Sequence, residues 1–219
     1  MKRSLAFACA FAFAIAPAAA QAPSKTPSPG SAVVAPDYVP VHYQPDTLPA
    51  GIYDISSKET LVRYTVIHMG FSEFWGTFPG ATGTLTIDPK NLAATKLEVK
   101  VPIASVETTN RELNGELFSD EFFDGENYPS MHFVSTAVTR TGATTAKVTG
   151  DLTMHNVTKS VVLDVTFVGA GNNPFTDKGV IAGFNAQGMV KRSDFGLGKY
   201  VPIVSDETKI TISGEFIKR

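Results

Sequence analysis

The stretch TKLEVKV at residues 95–101 alternates strictly: Leu97, Val99 and Val101 are apolar, while Lys96, Glu98 and Lys100 between them are charged. On a strand, successive side chains point to opposite faces, so this spacing sets one face against an apolar interior and the other in water. The same period of two returns in VRYTVIH (62–68), which puts Val62, Tyr64, Val66 and His68 on one face, and in TGTLTID (82–88), where Leu85 and Ile87 share a face. It returns again in MHFVSTAV (131–138), KVTGDLTM (147–154), KSVVLDVTF (159–167), GVIAGFNAQGMVK (179–191) and TKITISGEF (208–216). Eight strands are expected. Turn signals between them, such as Asp88-Pro89, Thr141-Gly142, His155-Asn156 and Asn172-Asn173-Pro174, suit antiparallel meanders. Eight antiparallel strands with one apolar face favour a closed all-β barrel, which leaves no edge unpaired. The interior of such a barrel is filled by side chains or holds one small ligand.

What precedes residue 51 has a different texture. Lys2 and Arg3, an uncharged apolar run from Leu5 to Ile15, and small residues ending at Ala20 and Ala22 make residues 1–22 an expected secretory signal peptide. The run is shorter than the ~20 apolar residues a spanning helix needs. Export to the periplasm is the expectation. The only cysteine, Cys9, lies in this segment, so the exported chain would have neither thiol nor disulfide. Residues 23–50 hold Pro23, Pro27, Pro29, Pro36, Pro40, Pro45 and Pro49 with few large apolar side chains, and are expected to form an extended or disordered leader. A net charge of −2 gives no electrostatic footprint for nucleic acid. No later stretch is long and apolar enough for a transmembrane helix.

One segment leaves the strand pattern. Thr109 followed by Glu112 has the spacing of a capping box, and Leu113 and Leu117 stand on one helical face, so a short helical segment is expected near 109–123. It leads into LFSDEFFD (117–124), where Phe118, Phe122 and Phe123 stand among Asp120, Glu121 and Asp124. These rings are either a gate at a barrel end or a plug that fills it. The same choice arises for Phe71, Phe74, Trp75 and Phe78 in GFSEFWGTF (70–78).

The motifs YDISSKETLVRYTVIHMGFSEFWGTF (53–78), SVETTN (105–110), FSDEFFD (118–124), YPSMHFVST (128–136), GDLTMHNVTKSVVLDVTF (150–167) and GFNAQGMVKRSDFGL (183–197) occur in order. Together they resemble the YceI-like family of polyisoprenoid-binding, lipocalin-like proteins over the whole of residues 51–219. Asn156, where the family commonly has Gly, and the Pro-rich leader depart from the pattern. The resemblance implies an eight-stranded lipocalin-like barrel that sequesters or carries an isoprenoid lipid, such as a quinone or polyprenyl tail. The side chains expected against the tail are Val66, His68, Phe71, Phe74, Trp75, Leu97, Val99, Phe118, Phe122, Phe123, Phe133, Leu152, Met154, Leu163 and Phe184. Arg111 and Arg192 are candidates for a polar headgroup.

No catalytic group is expected, and no cofactor beyond the bound lipid. His42, His68, His132 and His155 lack metal-ligand spacing, so no metal site is expected. There is no GxSxG nucleophile motif. The alternatives are an exported enzyme acting on a lipid or quinone in the same cavity, and a structural barrel filled by its own side chains. Oligomeric state stays open, a homodimer included.

Overall fold

The computed structural model describes residues 43–173 and 179–219. The expected signal peptide, residues 23–42 of the leader, and Pro174 of the expected turn lie outside the described residues. Among those described, ten strands and one helix follow in chain order: β1 (Gly51–Ile55), β2 (Leu61–His68), β3 (Ser72–Pro79), β4 (Thr82–Ile87), β5 (Lys96–Pro102), α1 (Arg111–Phe118), β6 (Ser130–Arg140), β7 (Thr145–Met154), β8 (Val157–Asn172), β9 (Val180–Lys191) and β10 (Glu207–Lys218).

The ring closes because β10 is shared. Residues 209–213 of β10 pair with β2, and residues 216–218 of the same strand pair with β1, so β1 and β2 lie end to end in one place. Each carries its own antiparallel neighbour, β4 beside β1 and β3 beside β2. The ten strands therefore fill eight positions of a closed antiparallel barrel. The expected count of eight holds at the level of positions. Two segments, β1 and β3, were not among the expected strands: one has only five residues, and the other carries Gly76 and ends at Pro79, both weak strand signals.

Where β10 passes from β2 to β1, the backbone of Glu215 has no strand partner on that side. The Glu215 N–H donates to the hydroxyl of Thr60 at 3.1 Å, and its carbonyl accepts from the N–H of Ser56 at 2.8 Å. Thr60 is accordingly buried. The break in the ladder leaves no orphaned backbone group there.

Between β3 and β5 the ladder lapses, and only Thr77 and Glu107 bridge it, with reciprocal N–H to carbonyl bonds of 2.8 and 2.9 Å. Helix α1 and the turns after it cover this opening, with Phe78, Val101, Ile103, Val106 and Leu117 buried beneath. The cap of α1 is Asn110 and not Thr109: its side-chain oxygen accepts from the N–H groups of Glu112 and Leu113 at 2.9 and 3.4 Å. An Asx side chain reaches these donors as well as a hydroxyl does, and Thr108 fixes the approach by accepting from the Asn110 N–H. The helix also ends earlier than expected. Ser119 turns its hydroxyl back to the Glu116 carbonyl at 2.7 Å, and residues 119–123 form turns that leave Asp124 at φ 49°.

At the other end of the barrel the last residues of the expected leader are ordered. Residues 43–50 pack against the barrel, with Leu48 only 4% exposed among Tyr53, Leu85, Ala182 and Phe216. Tyr43 packs against the same cluster, and its N–H reaches the Ala170 carbonyl at 2.9 Å. No helix of the described residues is long and apolar enough to cross a membrane.

Candidate ligand-binding site

Alternation converts directly into a lining. On β2 the inward row is Val62, Tyr64, Val66 and His68; on β5 it is Leu97, Val99 and Val101; on β10 it is Thr208, Ile210, Ile212, Gly214 and Phe216. Polar partners on the outer faces pair with one another, as Lys147 does with Asp164 at 2.6 Å and His132 with Glu98 at 3.0 Å. The inward rows enclose a cavity of about 680 Å³. Its middle is apolar: Val66, Val99, Phe133, Leu152, Leu163, Phe184, Ile210 and Ile212 line it. Phe167, Phe184 and Phe216 meet edge to face, with centroids 5.5 and 5.7 Å apart. Tyr64 lies across Gly76, where an added Cβ would come within 2.7 Å of the ring. Burial pushes the Tyr64 phenol up to about 12, so this wall stays neutral across the physiological range.

Charge is confined to the ends. At one end Glu116 and Lys199 face the cavity beside Phe74, Phe122 and Tyr200. Lys199 pairs with Glu116 at 3.0 Å and with Glu121, and it stands 5.3 and 5.0 Å from the ring centroids of Phe122 and Tyr200. The Tyr200 hydroxyl donates to Glu116 at 2.9 Å. Lys199 first, then Tyr200, holds the Glu116 carboxyl below its ordinary value, while Glu121 and Glu116 raise Lys199. At the opposite end Asp46 and Arg140 face the cavity and pair at 2.7 Å.

Residues 53–216 match the model of the YceI-like domain. The chain belongs to the YceI-like family. It is 36% identical over 166 residues to the protein YceI of Escherichia coli, a match covering 76% of this chain and 85% of the relative. Among solved structures, Burkholderia cenocepacia BcnA is similar with a TM-score of 0.66 at 24% identity, covering 74% of this chain and 98% of that one. A polyisoprenoid binding domain from Saccharophagus degradans, implicated in plant cell wall breakdown, is similar with a TM-score of 0.55 at 11% identity, covering 78% of this chain and 100% of that one. At such identities the two structures speak for the barrel fold alone.

Within this YceI-like barrel, Val66, His68, Phe74, Leu97, Val99, Phe122, Phe123, Phe133, Leu152, Met154, Leu163 and Phe184 all border the cavity. Four expected residues do not. Trp75 alternates with the inward Phe74 and Phe78, so it points outward and is half exposed. Phe71 sits beyond the barrel on the tip of the β2–β3 hairpin, 83% exposed. Phe118 closes α1 and turns its ring onto Gly125 outside the cavity. Arg111 is exposed on the first turn of α1.

Arg192 does border the cavity, yet its donors are committed. Nε donates to the Ser205 carbonyl, Nη1 to those of Leu197 and Lys199, and Nη2 to that of Val204. It organises the 197–205 loop and leaves little for a headgroup. Sequence reasoning missed Lys199, Tyr200, Asp46, Leu48 and Arg140 as lining residues. All lie in loops or at strand ends, where no periodicity marks orientation. Ile210, Ile212 and Phe216 were signalled by the alternation of TKITISGEF but not singled out. Among the described residues no group of three or more His, Cys, Asp or Glu is placed to hold a metal ion.

Proposed function

We propose that this chain is an exported binding protein that holds one isoprenoid lipid, a quinone or polyprenyl tail, inside the barrel, and acts in the periplasm as a carrier or store. The observation that carries this reading is the cavity itself, of about 680 Å³, apolar through its middle and bordered by charge only at its ends. A tail is held there by burial: at ~0.8 kcal/mol per methylene-sized group, about ten such groups supply ~8 kcal/mol before the cost of association. No catalytic group is needed for that. Binding rather than catalysis is favoured because the charged groups at the cavity, Glu116, Lys199, Asp46, Arg140 and Arg192, are engaged by one another, by Glu121 or by backbone carbonyls. Family membership supports the ligand class, and the solved structures support the barrel that would hold it. The basic and apolar N-terminus supports export.

The test is organic extraction and mass analysis of protein purified from its native envelope, followed by titration of the emptied protein with a polyprenyl probe. An isoprenoid lipid near one per chain is expected, and affinity should hardly change with ionic strength, since screening acts on charges and not on apolar contact. An empty barrel that takes up no polyprenyl probe, or an affinity that falls about tenfold in high salt, overturns the reading.

A further inference from the structure

The match to the family domain begins at Tyr53, yet the cavity does not end there: Pro45, Asp46 and Leu48 line it as well. These residues belong to a stretch that spans the barrel mouth. At its start the Tyr43 N–H donates to the Ala170 carbonyl of β8 at 2.9 Å, forming an isolated bridge. Next, Asp46 accepts from Arg140 at the end of β6, two barrel positions away from β8. Then Leu48 buries itself among Tyr53 of β1, Leu85 of β4 and Phe216 of β10. Finally the Pro49 carbonyl accepts from the Tyr53 hydroxyl at 2.5 Å.

Local chemistry makes this path stiff. Pro45 opens a 3-10 turn over Pro45–Thr47, and Gln44 and Thr47 close it reciprocally, with the Gln44 N–H donating to the Thr47 hydroxyl at 2.9 Å. Pro49 restricts the next step. Two prolines and a closed turn limit how many conformations the stretch gives up on docking. The anchors also differ in kind: a backbone bridge, an apolar plug and an exposed ion pair hold the stretch against β8, against the β1, β4 and β10 cluster, and against β6.

We propose that residues 43–50 are a strap that belongs to the ligand site: it closes this end of the cavity and sets how long an apolar chain the barrel accepts. The proposal rests on the lipid-binding reading above. The strap presents Pro45 and Leu48 to the far end of a tail, and the pair of Asp46 with Arg140 fastens its middle. Exchange of ligand past the strap requires that pair to open. A tail longer than the closed cavity forces it open or is excluded.

The test uses the exported protein with its leader intact, in wild-type form and as Asp46→Arg, Leu48→Ser and the exchange Asp46→Arg with Arg140→Asp. Release of a small apolar dye, N-phenyl-1-naphthylamine, and affinity for a short and a long polyprenyl alcohol are measured beside the thermal midpoint. Asp46→Arg replaces attraction by repulsion on an exposed pair, so dye release should quicken about fivefold with little change in midpoint. The exchange variant should move the rate back toward wild type. Both Asp46→Arg and Leu48→Ser should shift preference toward the longer alcohol. Wild-type release rates together with unchanged length preference in Asp46→Arg and Leu48→Ser overturn the strap. If the wild-type protein takes up the dye but neither alcohol, the lipid reading fails, and the strap stands or falls on the dye rates.

Discussion

Val99 and Lys100 are consecutive residues of β5 that meet opposite media. Val99 faces the cavity and pairs across the sheet with Gly83 and Phe133, while Lys100 faces outward opposite Thr82 and His132. Val99→Lys sets an ammonium into an apolar wall with no partner, a change that costs several kcal/mol where the group cannot reach water. Lys100→Val changes only an exposed position and should stay within about 0.5 kcal/mol. Thermal midpoints and uptake of a polyprenyl probe decide this. Equal effects at the two positions would mean that the strand is displaced by one residue from the register described. Residues at turns obey other rules. His155 and Asn156 both stand at positive φ, 50° and 58°, in the two-residue hairpin joining β7 and β8, and Asn tolerates that region nearly as Gly does. The departure of Asn156 from the family pattern therefore leaves the hairpin intact.

At the scale of elements, α1 and the turns after it close the opening that β3 and β5 leave, and the structure separates two rings that are adjacent in sequence. Phe123 packs edge to face on the buried Phe78, with centroids 5.6 Å apart, and also packs against a second buried cluster of Met154, Phe195 and Leu197. Phe122 meets the half-exposed Tyr200 at 6.1 Å and lies under Lys199. Phe123→Ala should behave as core truncation, costing about 3 kcal/mol of stability. Phe122→Ala should cost much less and instead quicken ligand release, because it removes the ring contact of this arm with Tyr200 and Lys199 while their bonds to Glu116 and Glu121 remain. Denaturation midpoints and release rates of the two single variants are the measurement. Identical behaviour would show that both rings are plug or both are gate. The sequence marked these rings as a group; it had no means of dividing them, since the division depends on Phe78 and Tyr200, which are about 45 and 80 residues distant in the chain.

The molecule as a whole is fastened by acids whose partners are far away in sequence or on another element. Arg219 at the C-terminus holds Asp54 of β1, Lys199 and Tyr200 hold Glu116 of α1, and the Ser193 hydroxyl and N–H hold Asp206. In each case these hydrogen bonds are the leading reason that the carboxyl is kept below its ordinary value. An acid with a lowered folded pKa contributes stability that is fully present above its unfolded value, near 4, and is lost as pH falls through the folded value. The thermal midpoint should thus be flat from neutral pH to about 5 and decline below about 4. The triple variant Asp54→Asn, Glu116→Gln, Asp206→Asn should start lower at neutral pH and lose less on acidification. An acid limb parallel to that of the wild type would show that these ties do not differ between folded and unfolded chains. All three sites are near the surface, so the difference between the limbs should be modest.

The sequence by itself determined the eight-position barrel and most of its lining, because side-chain orientation on a strand is set by the parity of the residue number and needs no knowledge of partners. Parity explains why Val66, Leu97, Val99, Leu163 and Phe184 were legible, and why Phe74 and Trp75, one step apart on a strand, do not both face the cavity as expected. Only the tertiary structure decided what parity does not govern. It doubled two barrel positions by letting β10 hold β1 and β2 in turn, committed Arg192 to the carbonyls of its own loop, brought Lys199 to Glu116 and Glu121, and drew Leu48 of a Pro-rich leader into the barrel end. Each of these depends on which groups are left without partners once the ring has closed, and that is a property of the closed ring rather than of any local stretch of chain.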